Sequence, residues 1–230
     1  MFKRGGEQST YGDVMREEFR SELSMISRTL VTMSQVTRDQ MRRATSALLE
    51  ADQTDAEQVL AADAEVDAYY RIIEDRVYDT MARQAPVASD LRLVITTLHM
   101  AADLERMGKL AAHIARSALR RHPGSAVAEP LHGIFKEMGV VADTLATKIT
   151  KAMSERDIVA AGQLDRDDDA MDDLHSRLFG VMFQKEWPAG VEAAVDAALL
   201  GRYFERYADH AVNVGKHVVF LVTGENLDRE

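Results

Sequence analysis

The chain has 230 residues, 46% of them hydrophobic and 29% charged, enough to bury one large core or two small ones beneath a solvated surface. A net charge of -10 argues against the basic face that nucleic-acid backbones demand, so no nucleic-acid partner is expected. With no cysteine, disulfides and thiolate zinc sites are excluded, and any metal must be held by carboxylate, imidazole or water.

Four prolines, 13 glycines and few aromatics, with abundant Ala, Leu, Glu, Arg and Met, point to an all-α protein. The N-terminal MFKRGGEQST has no apolar h-region, and LVITTLHMAA, the longest uncharged apolar stretch, is far short of the roughly 20 residues that span a bilayer. Neither export nor membrane insertion is expected, so the cytoplasm is the default. Apolar positions at helical spacing predict a first helix over 11–51, then a second over 55–84 opened by the capping box TDAE, Thr54 to Glu57. Ser89 can cap a third over 88–121, which His122-Pro123-Gly124 ends. A fourth is expected over 128–154, a fifth over 157–186 and a sixth over 189–222, with Gly224 closing the last. No Asn-Gly or Asp-Gly turn lies between alternating apolar runs, so sheet is not expected.

The chain repeats itself. Asp63 to Pro86 aligns without a gap on Asp165 to Pro188 at an offset of 102, and DLERMGKLAAHI aligns on YFERYADHAVNV at an offset of 100. This predicts two tandem three-helix bundles, six long antiparallel helices from an internal duplication, with a first unit over 1–124 and a second over 125–230. The 12 Met read as core packing. Long amphipathic helices favour pairing, so a homodimer is the expected assembly.

In an antiparallel hairpin, residues equidistant from the turn share a level. With the turn at Trp187 and Pro188, Asp169 faces Glu205 and Asp165 faces Asp209. Helix axes about 8–10 Å apart let these four carboxylates converge. Unneutralised, they would repel or bind protons; a divalent or trivalent cation such as iron, zinc, manganese or magnesium resolves this. Asp143 of the fourth helix is a further candidate ligand. In the first repeat the same rule sets Asp67 against Glu105 and Asp63 against Lys109. There the ammonium can neutralise Asp63 directly, or Asp63, Asp67, Asp103 and Glu105 can hold a metal more weakly, so the second repeat is the expected stronger site. The alternative for the second is a solvated acidic face laced with Arg166, Arg202 and Arg206. Arg106 and Arg206 can orient the neighbouring glutamates. His113, His210 and His217 read as core or second-helix contacts.

QAPVASDLRLVITTLHMAADLERMGKLAAHIA and GRYFERYADHAVNVGKHVVFLVTGE resemble the PhoU family of phosphate transport regulators, and the likeness covers nearly the whole chain in both repeats. The combination of PVASDLR, DLER, ERxADHAxN and a terminal LVTGE is highly specific. The resemblance implies two three-helix bundles whose E(D)xxxD motifs bind multinuclear clusters of iron or other metals. The motif falls on Glu205 and Asp209, on Asp165 and Asp169, and on Asp63 and Asp67, and the Glu105 copy departs from it at Lys109. The resemblance further implies a cytoplasmic negative regulator of phosphate uptake and of the phosphate-starvation response. Such a protein links the ATPase of a phosphate ABC transporter to a sensor histidine kinase.

Two other classes fit the residues less well. Ferritin-like carboxylate-bridged metal enzymes need Glu-x-x-His on two helices, whereas DDLH, Asp172 to His175, occurs once, with His175 off the face of Asp165 and Asp169. No Gly-rich phosphate loop, G-x-S-x-G elbow or H-E-x-x-H is present, so no enzymatic activity is expected. An all-α DNA-binding regulator needs a basic recognition helix after a short turn, but RDQMRRAT and ARSALRRH lie inside long bundle helices.

Overall fold

The computed structural model describes the backbone of residues 7–84 and 86–225, and side chains from residue 17 onward other than 84 and 85. Residues 1–6, which hold most of the segment read for export, and 226–230 lie outside it. The first helix, α1, runs from Glu7 to Glu50. Its buried Leu23, Ile26, Leu30, Met33, Thr37, Met41, Ala44 and Leu48 recur every three or four residues, one continuous inner stripe. Asp52 caps α2, Gln53–Gln84, its Oδ1 accepting the Asp55 N–H at 3.0 Å. The box expected at Thr54 therefore lies inside the first turn, because Asp52 offers a carboxylate acceptor two residues earlier. Ser89 opens α3, Ser89–Arg121, without capping it; Ala88, at φ 50°, occupies the cap position and makes no side-chain bond. His122 ends α3 as expected, its backbone N–H donating to the Ala118 and Leu119 carbonyls.

The second half departs from the expected spans. A 3-10 turn over Glu129–Leu131 precedes α4, His132–Glu155. The fifth expected helix is two pieces, a single turn α5, Ile158–Ala161, and α6, Leu164–Met182. Asp157 caps the first piece, accepting the N–H groups of Val159 and Ala160 at 3.0 Å each. At the break the last helix passes so close that a Cβ on Gly215 would lie 2.3 Å from Leu164 Cδ1. After Met182 the chain is non-helical over 183–189, held by Trp187 Nε1 donating to the Gly190 carbonyl at 2.7 Å. The last helix, α7, spans Gly190–Thr223 and closes at Gly224, whose φ of 80° suits a residue without Cβ.

Helices α1, α2 and α3 pack against one another, as do α4, α6 and α7. The two units join through α1 on α4 and α3 on α7, leaving α2 and α6 on the flanks. Their buried side chains form one continuous apolar cluster, so the chain builds a single large core from a duplicated unit. Tyr207, Phe135 and Phe204 are its largest fully buried members, the two phenyl rings 6.0 Å apart and tilted. Among the described residues no helix is long and apolar enough to cross a membrane.

The α1–α4 contact is tightest at Gly139, where a Cβ would stand 2.4 Å from Thr45 Cγ2. Gly139→Val is therefore expected to destabilise the chain by about 1–3 kcal/mol despite its removal of a helical glycine. Thermal unfolding followed by circular dichroism checks this; an unchanged midpoint would show that the two units do not rely on that approach.

Candidate metal centre

The acid-rich faces of α6 and α7 meet in the second unit. Asp168, Asp172 and His175 recur at helical spacing on α6, and Arg202, Glu205 and Asp209 on α7. Burial, then the charges of Asp172, Asp209, Asp165 and Asp169, push the Asp168 carboxyl up to about 6. Burial, followed by Glu205, Asp209 and Asp169, also raises the Asp172 carboxyl, with His175 opposing. Glu205 is only 19% exposed; its Oε2 meets Arg202 Nη1 at 2.5 Å and His175 Nδ1 at 3.5 Å. Arg202 thus holds that oxygen as a charged donor, while His175 Nε2 is buried without a partner.

In the second unit Asp165, Asp169, Asp172 and Asp209 are all exposed, and the α6 carboxyls that Glu205 or Asp209 raises are Asp168 and Asp172, three residues beyond the expected pair. The gapless alignment ran through the turn, where α6 stops at Met182 and α2 continues to Gln84. Buried residues give the true correspondence: Val59, Val66, Ile73 and Val77 recur 105 positions later as Leu164, Met171, Leu178 and Met182. The same offset lays Asp63 and Asp67 on Asp168 and Asp172, so DAEVD matches DDAMD, with an apolar residue before the second aspartate in both. That apolar residue was the sequence signal for Asp168, Asp172 and His175. Asp143 faces α1, where Arg38 Nε and Nη2 hold both its oxygens at 2.7 and 3.0 Å. Arg106 and Arg206 are exposed, and Arg202 is the arginine that reaches Glu205.

In the first unit the expected ion pair is present and larger than anticipated. Lys109 Nζ lies 2.6 Å from Asp67 Oδ1 and 3.1 Å from Asp63 Oδ1, and Arg116 approaches Asp63 at 3.4 Å. Burial alone would depress the Lys109 ammonium, but bonds from Asp67 and Asp63 hold it above the ordinary lysine value. Glu105 stands near the Tyr70 phenol. Asp103 leaves this group for the interface between the units, accepting from His210 Nδ1 at 2.9 Å with His217 Nε2 at 3.5 Å. His210 and His217 are thus second-helix contacts, as is His113, stacked on Tyr203 at 5.2 Å.

No three His, Asp or Glu side chains among the described residues close on one point as a ready-made coordination sphere. Even so, the second unit's donors suit a cation: carboxylates crowded enough to push Asp168 up to about 6, and a buried imidazole nitrogen of His175 lacking a hydrogen-bond partner. The first unit's acids already have cationic partners in Lys109 and Arg116.

Together these features define a duplicated all-α bundle protein with two acidic faces, one paired to Lys109 and Arg116 and one crowded with carboxylates. The PhoU domain family matches residues 30–118 and 135–218, once in each repeat. The phosphate-specific transport system accessory protein PhoU homolog 2 of Mycobacterium tuberculosis is 44% identical over 91% of this chain and 99% of its own length. Homolog 1 of the same organism is 41% identical over 91% and 95%. The crystal structure of PhoU from Pseudomonas aeruginosa superposes with a TM-score of 0.83 at 27% identity, covering 90% of this chain and all of that one. The chain belongs to the PhoU family.

A carboxyl with a higher pKa folded than unfolded keeps its proton longer in the folded state, so its ionisation destabilises the fold as pH rises. Without metal, the penalty from Asp168 enters between the ordinary carboxylate value and about 6 and persists above it. In chelator, Asp168→Asn is expected to stabilise the protein by about 1 kcal/mol above neutral pH, allowing for partial solvent screening, and to change nothing near pH 4. Melting curves at both pH values check this; equal effects at the two would remove the charge crowding.

Proposed function

We propose that this chain is a metal-binding helical adaptor of phosphate-specific transport, a cytoplasmic negative regulator of phosphate uptake and of the phosphate-starvation response. In this reading it links the phosphate ABC transporter, through its ATPase, to a sensor histidine kinase, and works as a homodimer without catalytic activity of its own. Family membership and the accessory-protein titles of its relatives support the transport role. The observation that carries the metal reading is the contrast between the units: Lys109 neutralises both Asp63 and Asp67, whereas in the second unit Arg202 pairs with Glu205 alone, and burial and carboxylate crowding raise Asp168 and Asp172. A bound iron, zinc, manganese or magnesium ion would supply the missing positive charge. Asp168, Asp172, Glu205 and Asp209 would hold it, and His175, its Nδ1 3.5 Å from Glu205 Oε2, offers an imidazole beside them.

One observation favours an enzyme instead: Asp172 and His175 form an Asp-x-x-His on the acidic face. The first unit places Tyr70 at the equivalent of His175, so the paired motif of a ferritin-like site is missing. Oxygen consumption by the iron-loaded protein would revive that reading.

Elemental analysis of the purified chain tests the site. Asp168→Asn with Asp172→Asn, and Glu205→Ala with Asp209→Ala, are each expected to lose most of the bound metal with the helical signal intact. Asp165→Asn with Asp169→Asn should retain it, and Lys109→Asp should raise the metal content. Full metal retention in the Asp168 and Asp172 variant would refute the assigned ligands. Pull-down from phosphate-replete cells should recover the transporter ATPase or the kinase, and capture of neither would refute the adaptor role.

A further inference from the structure

Where α1, α3, the end of α4 and the end of α7 converge, the structure leaves an open groove of about 720 Å³. Leu23 and Leu30 of α1, Met100 of α3 and Val218 of α7 form a buried apolar floor, with Met153 and Leu221 as half-buried walls. The rim is cationic. Arg20, Arg28 and Arg156 line the groove, all three exposed, and none makes an ion pair among the described residues. Arg28 Nε donates only to the Ser24 carbonyl, at 3.4 Å. Asp90 is the one carboxylate in the lining, in the first turn of α3 where the helix N-terminus favours a negative charge.

Three exposed arginines thus surround an apolar floor with a single carboxylate, Asp90, in the lining. Arg156 is also held at φ 54° and ψ 41°, a left-handed cap conformation that glycine or asparagine adopts with less strain. Retaining a long cation in a strained position is economical only if the side chain has work at that point.

We propose that this groove docks an amphipathic helix of a partner protein, its apolar side chains on the floor and its flanking aspartates and glutamates against Arg20, Arg28 and Arg156. The recess lies between helices, and no strand among the described residues offers an edge to an extended peptide, so a helix laid into the groove is the matching geometry. The lining draws on both units, α1 and α3 from one and α4 and α7 from the other, so an occupant bridges them. Occupancy involves none of the acid-cluster residues, so failure at one site leaves the other untouched.

The probe is a labelled synthetic helical peptide with a leucine stripe flanked by glutamates, titrated with the full chain and followed by fluorescence anisotropy. A second peptide carries lysines in place of the glutamates. The glutamate peptide is expected to bind at least about tenfold more tightly, and to weaken as salt rises. Arg20→Glu, Arg28→Glu and Arg156→Glu together should invert the preference. Arg156→Gly, which relaxes the backbone, should weaken binding of the glutamate peptide while leaving the fold intact. Equal affinity for the two peptides, no binding of either, or unchanged binding by the charge-reversed variant would overturn the assignment. So would loss of anionic-vesicle binding or of self-association in the arginine variants with peptide binding unaffected, which would give the groove to lipid or to a second copy.

Discussion

Two helices joined by a short turn must run antiparallel, and where the first stops decides which residues of the pair share a level. In the first unit this register sets Lys109 between Asp63 and Asp67, and in the second it sets Asp168 beside Asp209 and Asp172 beside Glu205. The same architectural positions thus hold a cation with three anions in one unit and four anions in the other. Burial raises the proton affinity of Asp168 and opposes the rise at Lys109, while neighbouring carboxylates raise both.

The joint between the units explains why several acids take other roles. Asp103 is on α3, but it points to α7, where His210 and His217 supply donors; Asp143 is on α4, but it points to α1, where Arg38 offers a two-pronged match. A half-buried carboxylate goes to the donors its own helix face meets, and packing decides that face. His113 stacked on Tyr203 and Gly139 against Thr45 complete the seam, so polar pairs and close backbone approach hold together two units that share one apolar core.

A scaffold of this kind locates its chemistry on surfaces, because the interior is filled by interlocking side chains such as Phe135, Phe204 and Tyr207. Duplication supplied two acidic faces on one frame. A single lysine at the Asp209 equivalent is enough to make one of them self-sufficient, and Val66 and Met171, buried alike behind the acids, show that the change left the packing undisturbed.

The sequence by itself determined the all-α architecture, the duplication, the Lys109–Asp63 pair and the ends of α3 and α7 at His122 and Gly224. These rest on local rules: helical periodicity, backbone bonds four residues apart, and a residue without Cβ where φ is positive. Only the tertiary structure decided that Asp168, Asp172 and His175, not Asp165 and Asp169, look at Glu205 and Asp209. A shift of three residues turns a helix by roughly 300°, which returns nearly the same face to its neighbour, so the apolar pattern tolerates either register. What separated them was the end of α6 at Met182 and the break at Gly162 and Gln163, where α7 passes close at Gly215. Contacts across 105 or 107 positions, Arg38 to Asp143 and Asp103 to His210, lie beyond any local rule and exist only once the helices are assembled.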